Sequence, residues 1–249
     1  MNTRKLVPVV GIAVVFFTLS IRAWSEPGDY ADLGGGWTDS AGIVALDDQL
    51  FCVSGGTLWR VDRRGNYTDL GSGWADIGGM VSLDGFLYIA SGGTLWQTDK
   101  DGGYVDLGGG WTDIGGMTAL DGMLYIVSGG TLWATGKDGS YEDLGSGWVE
   151  MGGFTALEGS IYAVSGGTLW KVDKAGNYAN LGGGWSDMGG LTALDGKLYA
   201  VSGGTLWEVD TEGNYAGLGG GWSDMGGLTS LDGKLYAISG TTLWSVEVR

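Results

Sequence analysis

The sequence predicts an all-β protein, a six-bladed β-propeller whose blades are four-stranded antiparallel sheets. A unit of 37 residues recurs six times along the 249-residue chain. Each unit divides into four short runs rich in β-branched and aromatic residues, with turn signals between them. Four antiparallel strands in about 40 residues, repeated four to eight times, are typical of a propeller.

The period is visible in three independent aromatic series, each with a step of 37 residues. The series are Trp37, Trp74, Trp111, Trp148, Trp185 and Trp222; Trp59, Trp96, Trp133, Trp170, Trp207 and Trp244; and Tyr30, Tyr67, Tyr104, Tyr141, Tyr178 and Tyr215. The 53 glycines alone would suggest low complexity. The regularly placed aromatic and aliphatic side chains, however, are sufficient for a core, which low-complexity linkers cannot form.

One unit, residues 190–222, shows how the strands follow from the residues. The four runs predicted as strands are LTAL (191–194), KLYAVS (197–202), TLWEVD (205–210) and YAGL (215–218). Asp195-Gly196 and Gly203-Gly204 are two-residue hairpin signals, and Gly213 supplies the left-handed residue of a longer loop. Since hairpins join antiparallel strands, these signals favour a propeller over a parallel β-helix, the alternative repeat fold.

The two ends of the repeat region complement each other. The first unit begins with YADLGGGW (30–37), the fourth strand of a unit, and the last ends with TLWSVEV (242–248), the third strand. Joined, they complete one blade. The sequence therefore predicts a ring of six blades in which the N-terminal strand closes the last blade, so that no sheet edge is left open.

The first 25 residues have the features of a secretory signal peptide. Arg4 and Lys5 precede an uncharged run over residues 6–21, and Ser25 ends a segment of small residues before a cleavage point at Glu26. The alternative is an uncleaved signal anchor, although the run is shorter than the ~20 residues of a membrane span. We expect residues 1–25 to be this segment and residues 26–249 the propeller. The protein is expected to be secreted or extracellular (periplasmic in a bacterium), and a membrane is a partner only if the segment stays attached.

Charge and residue usage narrow the classes of function. The net charge is −16, and removal of residues 1–25 would leave 10 basic against 29 acidic residues, a net charge of −19. Such a surface repels phosphate groups, so no nucleic-acid partner is expected. The chain has no histidine, the commonest general base and transition-metal ligand. Its single Cys52 aligns with Ile and Ala in the other units and is expected to be a small core residue without a disulfide.

The segment that joins one unit to the next carries a tryptophan and, two positions later, an acid in every copy. The pairs are Trp37 and Asp39, Trp74 and Asp76, Trp111 and Asp113, Trp148 and Glu150, Trp185 and Asp187, and Trp222 and Asp224. The indole either fills the gap between blades or presents a flat apolar face to a ligand. The acid either caps a local turn or accepts hydrogen bonds from a ligand. Both alternatives stay open for both residues.

A neutral sugar is a suitable ligand for a site with an indole, a carboxylate and exposed backbone N–H groups. One face of the sugar ring stacks on the indole, and its hydroxyl groups form hydrogen bonds with the carboxylate and the N–H groups. A ring of six acids could also bind calcium, although no known calcium-loop spacing is present, and no other cofactor, metal site or catalytic residue is expected. The Trp59 series, in the centre of the third strand, is expected in the core. A second acidic series is expected to form the first hairpin turn: Asp47, Asp84, Asp121, Glu158, Asp195 and Asp232.

The run of LGGGW, an apolar strand and DGKLYAVSGGTLW (195–207) resembles the repeats of tachylectin-type lectin propellers. Tectonin repeats are similar and are typically six-bladed. The resemblance covers residues 28–249. It implies carbohydrate binding at equivalent sites around the ring, with amino sugars or bacterial surface glycans as ligands.

From the residues and this resemblance, we expect a secreted multivalent carbohydrate-binding protein that is not an enzyme. Near-identical sites on a rigid ring would convert weak single-site binding into avidity for glycans or glycoconjugates. The alternative is a non-catalytic scaffold for protein interaction, in which every repeated feature serves the fold. An enzyme with a metal in the central channel is disfavoured, because catalysis needs one asymmetric site and six near-equal repeats offer little asymmetry.

Overall fold

The computed structural model describes residues 28–248, which form the predicted six-bladed propeller. The 24 strands are β1 (Tyr30–Gly35), β2 (Ile43–Leu46), β3 (Gln49–Ser54), β4 (Thr57–Val61), β5 (Tyr67–Ser72), β6 (Ile77–Leu83), β7 (Phe86–Ser91), β8 (Thr94–Thr98), β9 (Tyr104–Gly109), β10 (Ile114–Leu120), β11 (Met123–Ser128), β12 (Thr131–Thr135), β13 (Tyr141–Ser146), β14 (Met151–Leu157), β15 (Ser160–Ser165), β16 (Thr168–Val172), β17 (Tyr178–Gly183), β18 (Met188–Leu194), β19 (Lys197–Ser202), β20 (Thr205–Val209), β21 (Tyr215–Gly220), β22 (Met225–Leu231), β23 (Lys234–Ser239) and β24 (Thr242–Glu247).

Five blades are consecutive antiparallel sheets: blade 1 is β2–β5, blade 2 is β6–β9, blade 3 is β10–β13, blade 4 is β14–β17 and blade 5 is β18–β21. Blade 6 combines β22, β23 and β24 with β1 from the start of the chain. In that blade Tyr30 pairs with Val246 and Gly35 with Thr242, in antiparallel register. The predicted closure of the ring by the N-terminal strand is confirmed.

The innermost strands begin earlier than the sequence predicts, because they include the glycine pair of the connection. In blade 5 the inner strand starts at Met188 rather than Leu191, with a register shift between Met188 and Gly190. A Cβ atom on Gly189 would lie 2.3 Å from the Cγ of Met225 on the next inner strand. Glycine here allows neighbouring inner strands to approach closely around the axis.

The hydrophobic core consists of six clusters, and each cluster fills the space between two adjacent blades. The cluster that closes the ring packs Tyr236 and Ile238 of blade 6 against Leu50 and Cys52 of blade 1. Every blade therefore buries both of its faces. The Trp37 series belongs to these clusters, with 7–9% of each residue exposed.

The structure decides between the two alternatives for the Trp37 series and corrects the expectation for the Trp59 series. The Trp59 series, expected in the core, is only partly buried, while the Trp37 series lies in the buried gap between blades. The Nε1–H of Trp59 donates a hydrogen bond of 3.2 Å to the carbonyl oxygen of Ser54, and the corresponding bond exists in every blade. This bond directs the indole along the blade to its end, where part of the ring reaches solvent.

All residues other than glycine that have positive φ in the described part of the chain belong to the two acidic series. The second series forms the first hairpin turn of each blade as predicted: Asp84, for example, has φ 50° and the following Gly85 has φ 82°. Two successive residues with positive φ are the requirement of a type I′ hairpin. These acids are explained by the turn.

Residues 1–25, expected to be a signal peptide or a signal anchor, lie outside the described residues. Within residues 28–248, no helix is long and apolar enough to cross a membrane.

Cys52 is a core residue, with 1% of its surface exposed, as its alignment with Ile and Ala predicts. Burial raises the pKa of its thiol to about 12. We therefore expect iodoacetamide at pH 8 to leave the folded protein unlabelled, because the reactive thiolate is neither formed nor accessible. In guanidinium chloride labelling should be complete. Intact-mass spectrometry measures both, and labelling of the folded protein at the unfolded rate would contradict this description.

Candidate functional site

The connections between blades lie at one end of the propeller, together with the Gly-Gly turns between the second and third strands; we call this the acidic end. Each connection is fixed by two sets of bonds. The backbone N–H of Trp74 donates to the carbonyl oxygen of Gly56 at 3.1 Å, which ties the connection to the turn of the preceding blade. The hydroxyl of Ser91 donates to the carbonyl oxygen of Ala75 at 2.7 Å and accepts from its N–H at 3.2 Å.

The predicted site residues separate into buried tryptophans and exposed acids. The six acids that follow the tryptophans are exposed at the acidic end: Asp39, Asp76, Asp113, Glu150, Asp187 and Asp224. Each has left-handed backbone, with φ between 46° and 49°. Asp tolerates this conformation better than Glu does, so Glu150 is the most unusual member. The indoles of the Trp37 series are too buried to offer a flat face to a sugar ring.

In blades 1, 2 and 4, a cavity with aromatic walls lies beside the connection between blades. In blade 4 it has a volume of about 280 Å³ and is lined by Trp148, Trp170 and Tyr178, among others. The corresponding cavities in blades 1 and 2 measure about 280 and 360 Å³. The tyrosines are 60–65% exposed. In the sequence these tyrosines only mark the 37-residue period. No sequence signal indicates that each tyrosine lies beside two tryptophans from outside its own strand.

A second kind of cavity lies at the junction of blades 4 and 5, with a volume of about 470 Å³. We call it the junction cavity. It brings together Glu150 of one connection and Asp187 of the next, with Met151, Met188 and Trp185 in its wall. Glycine 166 lines both this cavity and the aromatic cavity of blade 4, so the two adjoin. Two carboxylates from different blades thus face one space of ligand size.

The connection before blade 4 differs from the other five. It reads Val149-Glu150, where the others have Thr, Ala or Ser followed by Asp. Val149 is 58% exposed, an apolar group at the edge of an otherwise polar loop. Glu places its carboxylate one methylene further from the backbone than Asp does. The acid is a Glu at this connection alone, and this connection lines the junction cavity; the first connection departs at other positions, with Ser40-Ala41 in place of Ile or Met followed by Gly.

Charge is distributed unequally between the two ends. All lysines and arginines among residues 28–248 lie at the end opposite the acidic end. They are in the first hairpin turns and in the loops between third and fourth strands, or within two residues of these segments: Arg60, Arg63, Arg64, Lys100, Lys137, Lys171, Lys174, Lys197 and Lys234. Several pair with acids there, such as Lys137 with Asp84 at 2.6 Å and Arg63 with Asp232 at 2.5 Å. The acidic end carries the six connection acids without a neighbouring cation from the described chain.

Within the described range, no three His, Cys, Asp or Glu residues lie close enough together to hold a metal ion. The connection acids are thus spaced around the end and do not converge on one point. Nothing in this arrangement adds to the sequence-based suggestion of calcium.

Neither a protein-family model nor a curated protein sequence matches the chain. Among solved structures, it resembles a gluconolactonase from Xanthomonas campestris, with 15% identity, a TM-score of 0.74 and coverage of 88% of this chain and 89% of that one. It also resembles a luciferin-regenerating enzyme (12% identity, TM-score 0.70, 88% and 95% covered) and a virginiamycin B lyase from Staphylococcus aureus (10% identity, TM-score 0.65, 85% and 81% covered). At these identities the similarity establishes the fold.

These findings correct the functional predictions. The three propellers are enzymes rather than lectins, and the indoles that were to stack on a sugar are buried between blades. The prediction of a lectin, with a non-catalytic scaffold as its alternative, is wrong, and so is the prediction that the chain is not an enzyme. Of the resemblance to tachylectin and tectonin repeats, the six-bladed propeller is confirmed and the lectin activity has no support.

Proposed function

We propose that the protein is a hydrolase that opens a small, uncharged cyclic ester in the junction cavity. The observation that carries this proposal is the convergence of Glu150 and Asp187 on one cavity of about 470 Å³. This cavity adjoins the connection in which Val149-Glu150 stands where the other five have Thr, Ala or Ser followed by Asp. The similarity of the fold to a gluconolactonase, an enzyme named for its action on a lactone, supports this class of substrate.

A carboxylate beside a bound ester can act as a general base. Glu150 accepts a proton from a water molecule while the water oxygen bonds to the ester carbonyl carbon. The bond from that carbon to the ring oxygen then breaks, and the proton passes from Glu150 to the leaving oxygen. One ester and one water become one hydroxy acid, without an oxidant or reductant.

The charge of the acidic end suits an uncharged substrate with an anionic product. A lactone approaches without repulsion, whereas the hydroxy acid loses a proton in neutral solution and is repelled by Asp187 and the other connection acids. With −16 net charge on the chain, this repulsion favours release of the product. It also predicts that added product inhibits weakly.

The test uses D-glucono-1,5-lactone as probe, with ring opening followed by a pH-stat at a pH where the spontaneous reaction is slow. Glu150→Gln combined with Asp187→Asn is expected to lower kcat/KM by about 10²-fold or more, the usual contribution of a general base. The matched control is Glu158→Gln, since Glu158 is an exposed glutamate with φ 49° at the opposite end. This control should retain the rate within about twofold, because surface changes away from a site have small effects.

Two results would refute the proposal. One is the absence of ring opening above the buffer rate across a panel of five- and six-membered lactones. The other is a rate that falls equally in the Glu158→Gln control and in the double variant.

A further inference from the structure

We propose that the aromatic cavities of the acidic end bind small alkylammonium ions, one in each blade. This inference does not depend on the proposed hydrolase activity, because its cavities are formed by aromatic residues of each blade and it needs no chemical step. It rests on the geometry of the aromatic rings in the cavities, on the hydrogen bonds already formed by their polar groups and on the charge around them.

Three rings meet at nearly right angles in blades 1 and 2. In blade 1 the centroids of Trp59 and Tyr67 are 5.4 Å apart with an interplanar angle of 90°. Trp37 lies 5.6 Å from Tyr67 at 78° and 6.4 Å from Trp59 at 88°. Trp37 is the buried member of this group, while Tyr67 and Trp59 reach the concave space. A cation in that space is attracted by the exposed tyrosine ring and the partly exposed indole of Trp59.

The arrangement is repeated in all six blades, which argues against an accident of one surface. Tyrosine meets both tryptophans edge to face within 6 Å in each blade; the tyrosines are Tyr30, Tyr67, Tyr104, Tyr141, Tyr178 and Tyr215. These tyrosines are the largest exposed apolar groups of the described chain, at 60–65% exposure. Exposed aromatic rings around a concavity of ligand size are a mark of a binding site.

The polar groups of the cavity favour a ligand that needs few hydrogen bonds. In blade 4 the Nε1–H of Trp170 already donates to the carbonyl oxygen of Ser165 at 3.3 Å. The Ser165 hydroxyl donates to the carbonyl oxygen of Val149 at 2.7 Å. The indole donor that would recognise an anion or a carbonyl is therefore occupied within the protein. A methylated ammonium group requires no such donor and fills an aromatic cavity by its shape and charge.

Charge complementarity selects a cation over a neutral ligand of the same shape. The acidic end has exposed carboxylates and, in the part of the chain described, no lysine or arginine beside them. In blade 4, Gly166 separates the aromatic cavity from the space that Glu150 and Asp187 line. Carboxylates at this range attract a cation in low salt, and the attraction weakens as salt screens it.

The experiment titrates the full chain with choline and, as its uncharged isostere, 3,3-dimethylbutan-1-ol, and follows indole N–H signals by NMR. Choline is expected to shift the signals of the Trp59 series in a saturable manner. The alcohol should bind at least tenfold more weakly, and added salt should weaken binding of choline only. Equal binding of the two compounds would overturn the proposal, as would the absence of a saturable shift with choline.

Variants locate the site. Tyr178→Ser should abolish the choline shift of Trp170 in blade 4 while the signals of the other blades still respond, which also shows that the variant is folded. The matched control is Phe86→Ser, which removes an aromatic residue that is 39% exposed at the opposite end. It should leave all shifts unchanged. A Tyr178→Ser protein in which Trp170 responds to choline as before would exclude the cavity as the site.

Discussion

Deletion of residues 28–36 is expected to make the protein associate more strongly than the full chain and unfold without a single sharp transition. The deletion removes β1, which supplies the fourth strand of blade 6 and pairs with β24. It also removes Tyr30, whose ring packs 5.3 Å from Trp244 and 5.9 Å from Trp222. The remaining edge of β24 exposes unpaired N–H and C=O groups, which template association with other chains.

Size-exclusion chromatography with light scattering and thermal unfolding at several concentrations measure this effect. The matched control is a circular permutant that carries residues 28–36 after Val248 through a five-residue loop, the length that joins third and fourth strands between Val61 and Tyr67. Because this permutant restores the pairing in one covalent blade, it should match the full chain in both measurements. A deletion variant that associates no more than the full chain and melts with it would show that the N-terminal strand does not close the ring.

Trp111→Ala is expected to lower the free energy of unfolding by about 3–5 kcal/mol, the usual cost of removing a large buried aromatic side chain. Trp111 is 7% exposed and lies in the cluster between blades 2 and 3, with Tyr88 and Leu95. The three residues before Trp111 are glycines, which have no side chain to fill the space. The cavity would therefore remain open between the blades.

The control for this substitution is Tyr141→Ala, in the same aromatic group. Tyr141 is 64% exposed, and its ring lies 5.7 Å from that of Trp111. Because little of the surface of Tyr141 is removed from water on folding, its substitution should lower the free energy of unfolding by about 1 kcal/mol or less. Denaturant unfolding followed by circular dichroism gives both values. Equal losses for the two variants would mean that the indole does not stabilise the blade interface.

Together these predictions assign separate roles to residues that the sequence presents as one motif. The tryptophan of each connection holds neighbouring blades together. The acid two positions later lies at the surface with left-handed backbone. The tyrosine of the outer strand, which seemed a mere marker of the period, forms the exposed wall of a cavity.

The symmetry of the repeats also has a functional meaning in the structure. Six near-identical units argue against an enzyme only if every unit is the same. The connection before blade 4 breaks the pattern with Val149 and Glu150, and the structure places this break next to Asp187 of the following connection. This junction thereby differs from the others in its acid and in the residue before that acid.

The fold was determined by the sequence alone, because its signals are local. Asp-Gly and Gly-Gly pairs demand positive φ and so define hairpins wherever they occur, and the 37-residue step fixes the number of blades. The complementary ends of the repeat region predicted closure by β1, which the pairing of Tyr30 with Val246 confirms. In blade 5 the largest error was the start of the inner strand, since glycines in a strand resemble a turn until a neighbouring strand is seen to require them; the third and fourth strands differ by one and two residues at their ends.

Only the tertiary structure decided which aromatic residues are buried and which acids share a cavity. Burial of the Trp37 series depends on the distance between blades, which no spacing within one unit encodes. Partial exposure of the Trp59 series depends on a bond from its indole to a serine carbonyl five residues earlier. Glu150 and Asp187 come from different blades, 37 residues apart in the chain, and their shared cavity exists because the ring brings successive connections side by side at one end.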